Sequence, residues 1–254
     1  MKKVILISID GMRSDAFLSC GSEFVEGLKA VSSHCLTSRT VFPSVTLPCH
    51  MSMFHSVVPT RHGIITNDYV AQVHTVKGLF EKLFECGKST AMHFSWGPLR
   101  DICRPASLTY SSFVHEKLEK SDDEILSACI KNLDEKAPDF TFLYLHEADS
   151  MGHKYGWMSE EYMDAVKRSI DKVKIIMDKY LPEFDVIVTA DHGGHDRMHG
   201  TTDETDMIIP IFFAGEEFEK GLELEGVSIL DIAPTIAKLL SVEPDEDWEG
   251  TPRV

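Results

Sequence analysis

Basic side chains are scarce in this chain: 25 Lys and Arg stand against 41 Asp and Glu, a formal net charge of −16 over 254 residues. That deficit argues against a nucleic-acid polymer as partner, because such binding rests on Lys and Arg neutralising phosphates. Paired cysteines are missing too. Cys20, Cys35, Cys49, Cys86, Cys103 and Cys129 are scattered without a C-x-x-C. They read as reduced thiols, which predicts a cytoplasmic protein. No apolar run approaches the ~20 residues that cross a bilayer, so no membrane partner is expected. The opening "MKKVILISIDG" has too short an apolar run for a leader, and Asp10 stands where a small-residue cleavage site belongs. Internal repeats and low-complexity tracts are likewise missing.

What is present suits one large core, with 43% hydrophobic and 26% charged residues. Segments 3–9, 89–94, 139–145, 184–190 and 207–214 read as strands, several of them apolar on both faces and therefore buried. Helical patterns fall at 22–31, 46–56, 75–86, 121–135, 158–180 and 230–240. In the long 158–180 pattern, Val166, Ile170, Val173 and Met177 share a face. Asp231 is expected to cap the last helix, with Pro234 tolerated in its first turn. This alternation predicts an α/β fold, a three-layer α/β/α sandwich with a mainly parallel central sheet. The weakly periodic stretch 95–115 reads as an irregular excursion near the site, and the acidic tail "EPDEDWEGTPRV" as loosely packed.

Chemistry collects at strand ends. "VILISID" ends at Asp10, "FLYLHEADSMGH" carries Asp149 and His153, and "VIVTADHGGH" ends at Asp191 and His192, with His195 and His199 close behind. Carboxyl ends of parallel strands converge on one edge, where ligands bind. Asp149 and His153 share a face if their segment is helical, and Gly193-Gly194 lets the backbone turn tightly around an ion. Mixed Asp and His donors suit Zn²⁺, with Mn²⁺ or iron as alternatives; two such ions about 3.5–4 Å apart clamp a phosphoryl group. Two dications outweigh three carboxylates and let an acidic protein attract a small phosphate ester. His195 and His199 compete for the last donor place.

"FPSVTLPCHMSMFHS" (42–56) sets Thr46 at a helix start. Its hydroxyl is either an N-cap or a nucleophile aimed where backbone N–H groups and the helix dipole attract an anion. A threonine hydroxyl needs a base or a metal to become nucleophilic, and the acidic strand ends supply the second.

"DGMR" (10–13), "TLPCH" (46–50), "RHGIITN" (61–67), "EADSMGHKYG" (147–156) and "ADHGGHDRMHGT" (190–201) together resemble the alkaline phosphatase superfamily, in its nucleotide pyrophosphatase/phosphodiesterase branch. The resemblance implies an alkaline phosphatase-like catalytic domain over 1–254. It implies one metal held by Asp10, Thr46, Asp191 and His192 and another by Asp149, His153 and His199, which leaves His195 a supporting place. Thr46 becomes the nucleophile that forms a phospho-enzyme, and Asn67, otherwise a turn residue, donates to a non-bridging phosphate oxygen. Cys49 departs from the usual Asn, and His199 follows the D-H-G motif unusually closely.

The implied activity is metal-dependent hydrolysis of phosphodiester or pyrophosphate bonds. Phosphomonoesterase and phosphonate hydrolase are the rivals within the superfamily, and a metal-binding relative without turnover is the rival outside enzymology. A sulfatase is disfavoured because the frame reads T-L-P-C-H rather than C/S-x-P-x-R. A mutase is disfavoured because 254 residues leave little space for its inserted domain.

Overall fold

The computed structural model describes residues 2–72, 75–117, 120–181 and 183–254. Strand β1 (Val4–Ile9) is buried at every position and leads to α1 (Ser14–Ser19), α2 (Phe24–Val31) and β2 (Ser32–Arg39). Then come α3 (Thr46–His55), α4 (Pro59–His62), α5 (Leu79–Glu85), β3 (Thr90–Phe94) and β4 (Tyr110–Phe113). Helix α6 (Ser121–Lys136), β5 (Phe140–Leu145), α7 (Glu147–Tyr155), α8 (Glu160–Tyr180) and β6 (Asp185–Thr189) follow. The chain closes with α9 (Glu204–Met207), β7 (Ile208–Ala214) and α10 (Ile232–Leu239).

These strands form one seven-stranded sheet in the order β2-β7-β6-β1-β5-β3-β4. Only β7 runs against the others, pairing antiparallel with both β6 and β2. β1 lies between β5 and β6, parallel to both. A strand enclosed on both edges and both faces favours the mostly apolar sequence that β1, β5 and β6 have.

Helices cover the sheet in two groups. α8 packs on α1, α2 and α7 and is joined to α6 by Lys172–Asp123 at 2.8 Å and by the Tyr180 hydroxyl on Asp134 at 2.7 Å. α3 packs with α4, α5 and α10. Val166, Ile170, Val173 and Met177 are all buried along α8, as the 3.6-residue period requires. The result is the expected three-layer α/β fold with a mainly parallel sheet.

Several local expectations are corrected. The 95–115 stretch is more regular than its pattern indicates: two 3₁₀ turns, Gly97–Asp101 and Pro105–Ser107, precede β4 at the sheet edge. The side chain of Asp231 does not cap α10. It accepts hydrogen bonds from the backbone N–H groups of Ser228 and Thr251 and from the Arg253 guanidinium. Through that carboxylate the acidic tail is docked rather than loose, with Trp248 Nε1 donating to the Lys77 carbonyl and Gly250 N to Ser56 Oγ.

Candidate metal centre and nucleophile

Because β6, β1 and β5 are neighbours, the residues following their carboxyl ends share one edge. Asp10 follows β1, Asp191 and His192 follow β6, and α7 continues from β5 with Asp149 in its first turn and His153 one turn on. The side chains gather into two groups, each with its donor atoms within 4.8 Å of one another: Asp10, Asp191 and His192, and Asp149, His153 and His199. In the first, His192 Nε2 lies 3.3 Å from Asp10 Oδ1 and 3.4 Å from Asp191 Oδ2. In the second, Asp149 Oδ1 lies 3.4 Å from His153 Nε2 and 3.7 Å from His199 Nε2.

These residues fit divalent cations. Asp10 Oδ1, Asp191 Oδ2 and Asp149 Oδ1 are buried oxygens without a hydrogen-bond partner, one from each aspartate and each facing its group. A buried, unpaired carboxylate oxygen costs several kcal/mol unless a cation meets it. The three imidazoles are oriented for the same purpose. His192 Nδ1 donates to the Gly193 carbonyl at 2.8 Å, His153 Nδ1 to that of Arg197 at 3.0 Å, and His199 Nδ1 to that of Ser44 at 2.8 Å. Each Nε2 is thereby left as the bare lone pair a metal needs.

Electrostatics agree. Without a cation, burial pushes the Asp10 carboxyl well above the usual carboxylate range, and the neighbouring Asp191 and Asp149 push it further. Burial raises Asp149 as well. Burial, followed by the adjoining His192, lowers His199 to about 3, so its ring is neutral near pH 7.

Thr46 is not the N-cap of α3. Val45 holds that place in extended conformation, and Thr46 is the first helical residue. Its hydroxyl lies 3.2 Å from His192 Nε2, at the first metal group. Asn67 Oδ1 accepts from the Leu47 backbone N–H at 3.0 Å, which brings this exposed side chain beside Thr46. His195 stands apart from both groups: its Nδ1 lies 2.7 Å from Asp206 Oδ1. Asp206 also accepts from Thr201, so the pair braces the loop that carries His199. Arg13 is structural, donating to the Gly194 carbonyl and to Asp15. The Cys49 thiol is buried, and burial raises its pKa far above the usual thiol value.

Gly193 and Gly194 do not serve a tight turn. A Cβ on Gly193 would sit 2.0 Å from the Thr205 carbonyl oxygen, and one on Gly194 2.2 Å from the Trp157 ring. Close packing is what demands glycine there.

Three supporting residues escaped the sequence reading. Tyr144, the penultimate residue of β5, donates its hydroxyl to Asp10 Oδ2. Trp157 donates to the Gly11 carbonyl at 2.9 Å, and its ring lies 5.1 Å from that of His153. His50 lies one helical turn beyond Thr46, fully buried. Each looks like an ordinary core residue in sequence; only the "YLHEAD" and "TLPCH" neighbourhoods carry a signal.

The sequence pattern of the type I phosphodiesterase/nucleotide pyrophosphatase family matches residues 4–209. Venom phosphodiesterase CdcPDE of Crotalus durissus collilineatus is 26% identical over 220 residues, covering 75% of this chain and 26% of that protein. The bis(5'-adenosyl)-triphosphatase of Homo sapiens is 27% identical over 221 residues, covering 75% of this chain and 47% of its own length. The chain thus spans between a quarter and a half of these relatives. Among solved structures, inactive murine ectonucleotide pyrophosphatase/phosphodiesterase 5 in complex with AMP superimposes with a TM-score of 0.84 at 15% identity, covering 99% of this chain and 98% of that one. At that identity the likeness establishes the fold. With the family pattern spanning most of the sequence and the fold in agreement, this chain belongs to the type I phosphodiesterase/nucleotide pyrophosphatase family.

Proposed function

We propose that this chain hydrolyses phosphodiester or pyrophosphate bonds of small phosphate esters, with Thr46 as nucleophile. The observation that carries the reading is the Thr46 hydroxyl 3.2 Å from His192 Nε2, beside two donor groups whose three aspartates each present an unpartnered buried oxygen. Two divalent cations, zinc by the donor set, would be held by Asp10, Asp191 and His192 with Thr46, and by Asp149, His153 and His199, and would supply Lewis-acid stabilisation of developing negative charge.

The chain's own residues do the rest. The Thr46 hydroxyl gives its proton to solvent water and attacks phosphorus in line. The bond to the leaving oxygen breaks, and the phosphoryl group passes to threonine. The start of α3 turns the positive end of its dipole towards the transferred phosphoryl oxygens, although Leu47 N–H is engaged by Asn67, Pro48 has no N–H and Cys49 N–H is engaged by the Val45 carbonyl. Asn67, anchored through Oδ1 on Leu47 N, has its amide N–H left to donate to a non-bridging oxygen. Water then attacks the phospho-threonine and restores the hydroxyl.

The 254 residues are proposed to act as a single catalytic domain, since one sheet supports every site residue named here. A cytoplasmic location goes with this reading, supported by six free cysteines. Hydrolysis of bis-p-nitrophenyl phosphate against p-nitrophenyl phosphate, with and without chelator, is the test. Faster cleavage of the diester, abolished by chelation, is expected. Preference for the monoester would make the protein a phosphomonoesterase, and inertness towards both after zinc loading a non-catalytic relative. Thr46→Ala should lower diester turnover about 10³-fold or more while retaining metal.

A further inference from the structure

His50 joins the nucleophile to the first metal group, and the reaction scheme above leaves it without a role. Its Nδ1 lies 2.8 Å from the Thr46 carbonyl oxygen and 3.5 Å from Asp191 Oδ2, and its Nε2 lies 3.1 Å from Ser8 Oγ. A carbonyl oxygen only accepts, so Nδ1 carries the proton and Ser8 donates to Nε2. Both ring nitrogens are therefore committed, and the tautomer is fixed. Tyr144 and Phe142 pack edge-on against the ring, with centroids 5.5 and 5.9 Å away, and prevent it from swinging. Asp191 Oδ1 is already engaged by the backbone N–H groups of His192 at 2.9 Å and Gly11 at 3.2 Å. Oδ2 is left to face both His50 and the donor group.

We propose that His50 is a positioning residue: its one N–H, donated to the Thr46 carbonyl from an Nδ1 3.5 Å from Asp191 Oδ2, holds the first turn of α3 beside the Asp191 carboxylate, while Ser8 on Nε2 fixes the ring to β1, and so sets the reach of the Thr46 hydroxyl over Asp10, Asp191 and His192. The proposal rests on the reading of Thr46 as nucleophile at a metal site. A histidine that only filled core volume would be replaceable by any side chain of its shape. This one is replaceable only by a group that returns an N–H to the place of Nδ1.

Three variants of the full chain separate those cases. His50→Phe keeps the ring and removes the donor. His50→Asn returns an amide N–H near the Nδ1 position, whereas His50→Gln places it near Nε2. Zinc affinity is measured on metal-free protein by competition with a chromophoric chelator, independently of turnover, and kcat and KM on bis-p-nitrophenyl phosphate.

His50→Phe is expected to lose about 10–100-fold in kcat at unchanged KM and to weaken one of two zinc sites about tenfold. His50→Asn should recover most of both losses, and His50→Gln should not. Parental kcat and zinc binding in His50→Phe would overturn the proposal, as would equal behaviour of the Asn and Gln variants. The second comparison decides the matter even if the Phe variant does not fold. A parent without diesterase activity defeats the proposed function, while the zinc affinities still judge His50.

Discussion

His192 and His199 stack face to face, their ring centroids 3.8 Å apart and their planes inclined by 16°, although they belong to different donor groups. The stack is a shared wall that fixes how far apart the two groups lie. Spacing between two cations decides whether one phosphoryl group can bridge them.

Removing one side of that wall should remove one ion. His199→Ala is expected to bind one zinc per chain where the parent binds two, leaving Asp10, Asp191 and His192 loaded. Metal analysis of the dialysed protein reads the stoichiometry. Two ions retained at parental affinity would contradict the assignment of His199.

Chelation should destabilise the protein more as pH rises. Burial and neighbouring carboxylates hold Asp10 and Asp149 above their unfolded pKa of about 3.9. An acid with a raised folded pKa favours the folded state at low pH and disfavours it progressively as pH climbs past the unfolded value and through the folded one. Bound cations cancel that repulsion. Unfolding free energies with zinc and with chelator should therefore diverge from about pH 4 upward, by about 2.7 kcal/mol per site at a hundredfold excess over Kd. A constant gap across pH would argue against the carboxylate cluster.

Gly194→Ala should destabilise the fold by about 1–3 kcal/mol through overpacking, since its Cβ falls 2.2 Å from the Trp157 ring. The displaced ring would release its hydrogen bond to the Gly11 carbonyl, next to Asp10. Urea denaturation gives the stability, and an unchanged midpoint would show that Trp157 moves freely.

The His195–Asp206 pair predicts a second pH signature. The hydrogen bond to Asp206 raises His195, so its contribution is present below the unfolded pKa of about 6.5 and is lost as pH rises through the folded value. Burial works to raise Asp206, but the hydrogen bonds from His195 and Thr201 hold it low, so that contribution is lost only as pH falls below about 4. The melting-temperature deficit of His195→Gln should be largest between those limits and shrink by pH 9. A deficit independent of pH would exclude the ion pair.

Where periodicity was strong, the sequence revealed the architecture. β1, β5 and β6 are buried throughout and mostly apolar because both faces are covered, and α8 repeats its buried residues every turn. β2, "SSHCLTSR", is mostly polar and becomes a strand by pairing with β7, a tertiary effect that no local pattern carries. α7 is polar and holds Gly152, so its helicity shows only through the Asp149–His153 spacing. The candidate donor groups were legible because chemistry restricts such donors to a few residue types at strand ends. Tyr144, His50 and Trp157 were not, because the same residues in the same patterns ordinarily fill cores. The tail hid its docking in one charge pair, Arg253 with Asp231, more than twenty residues apart.

The central claim is that two caged cations and Thr46 act on one phosphoryl group. Anomalous diffraction from zinc-loaded crystals soaked in orthovanadate tests it directly. The account predicts two zinc peaks, one among Asp10, Asp191 and His192 and one among Asp149, His153 and His199, with vanadium bonded to Thr46 Oγ1. Zinc bound elsewhere, or vanadate held away from Thr46 between two loaded sites, would contradict it.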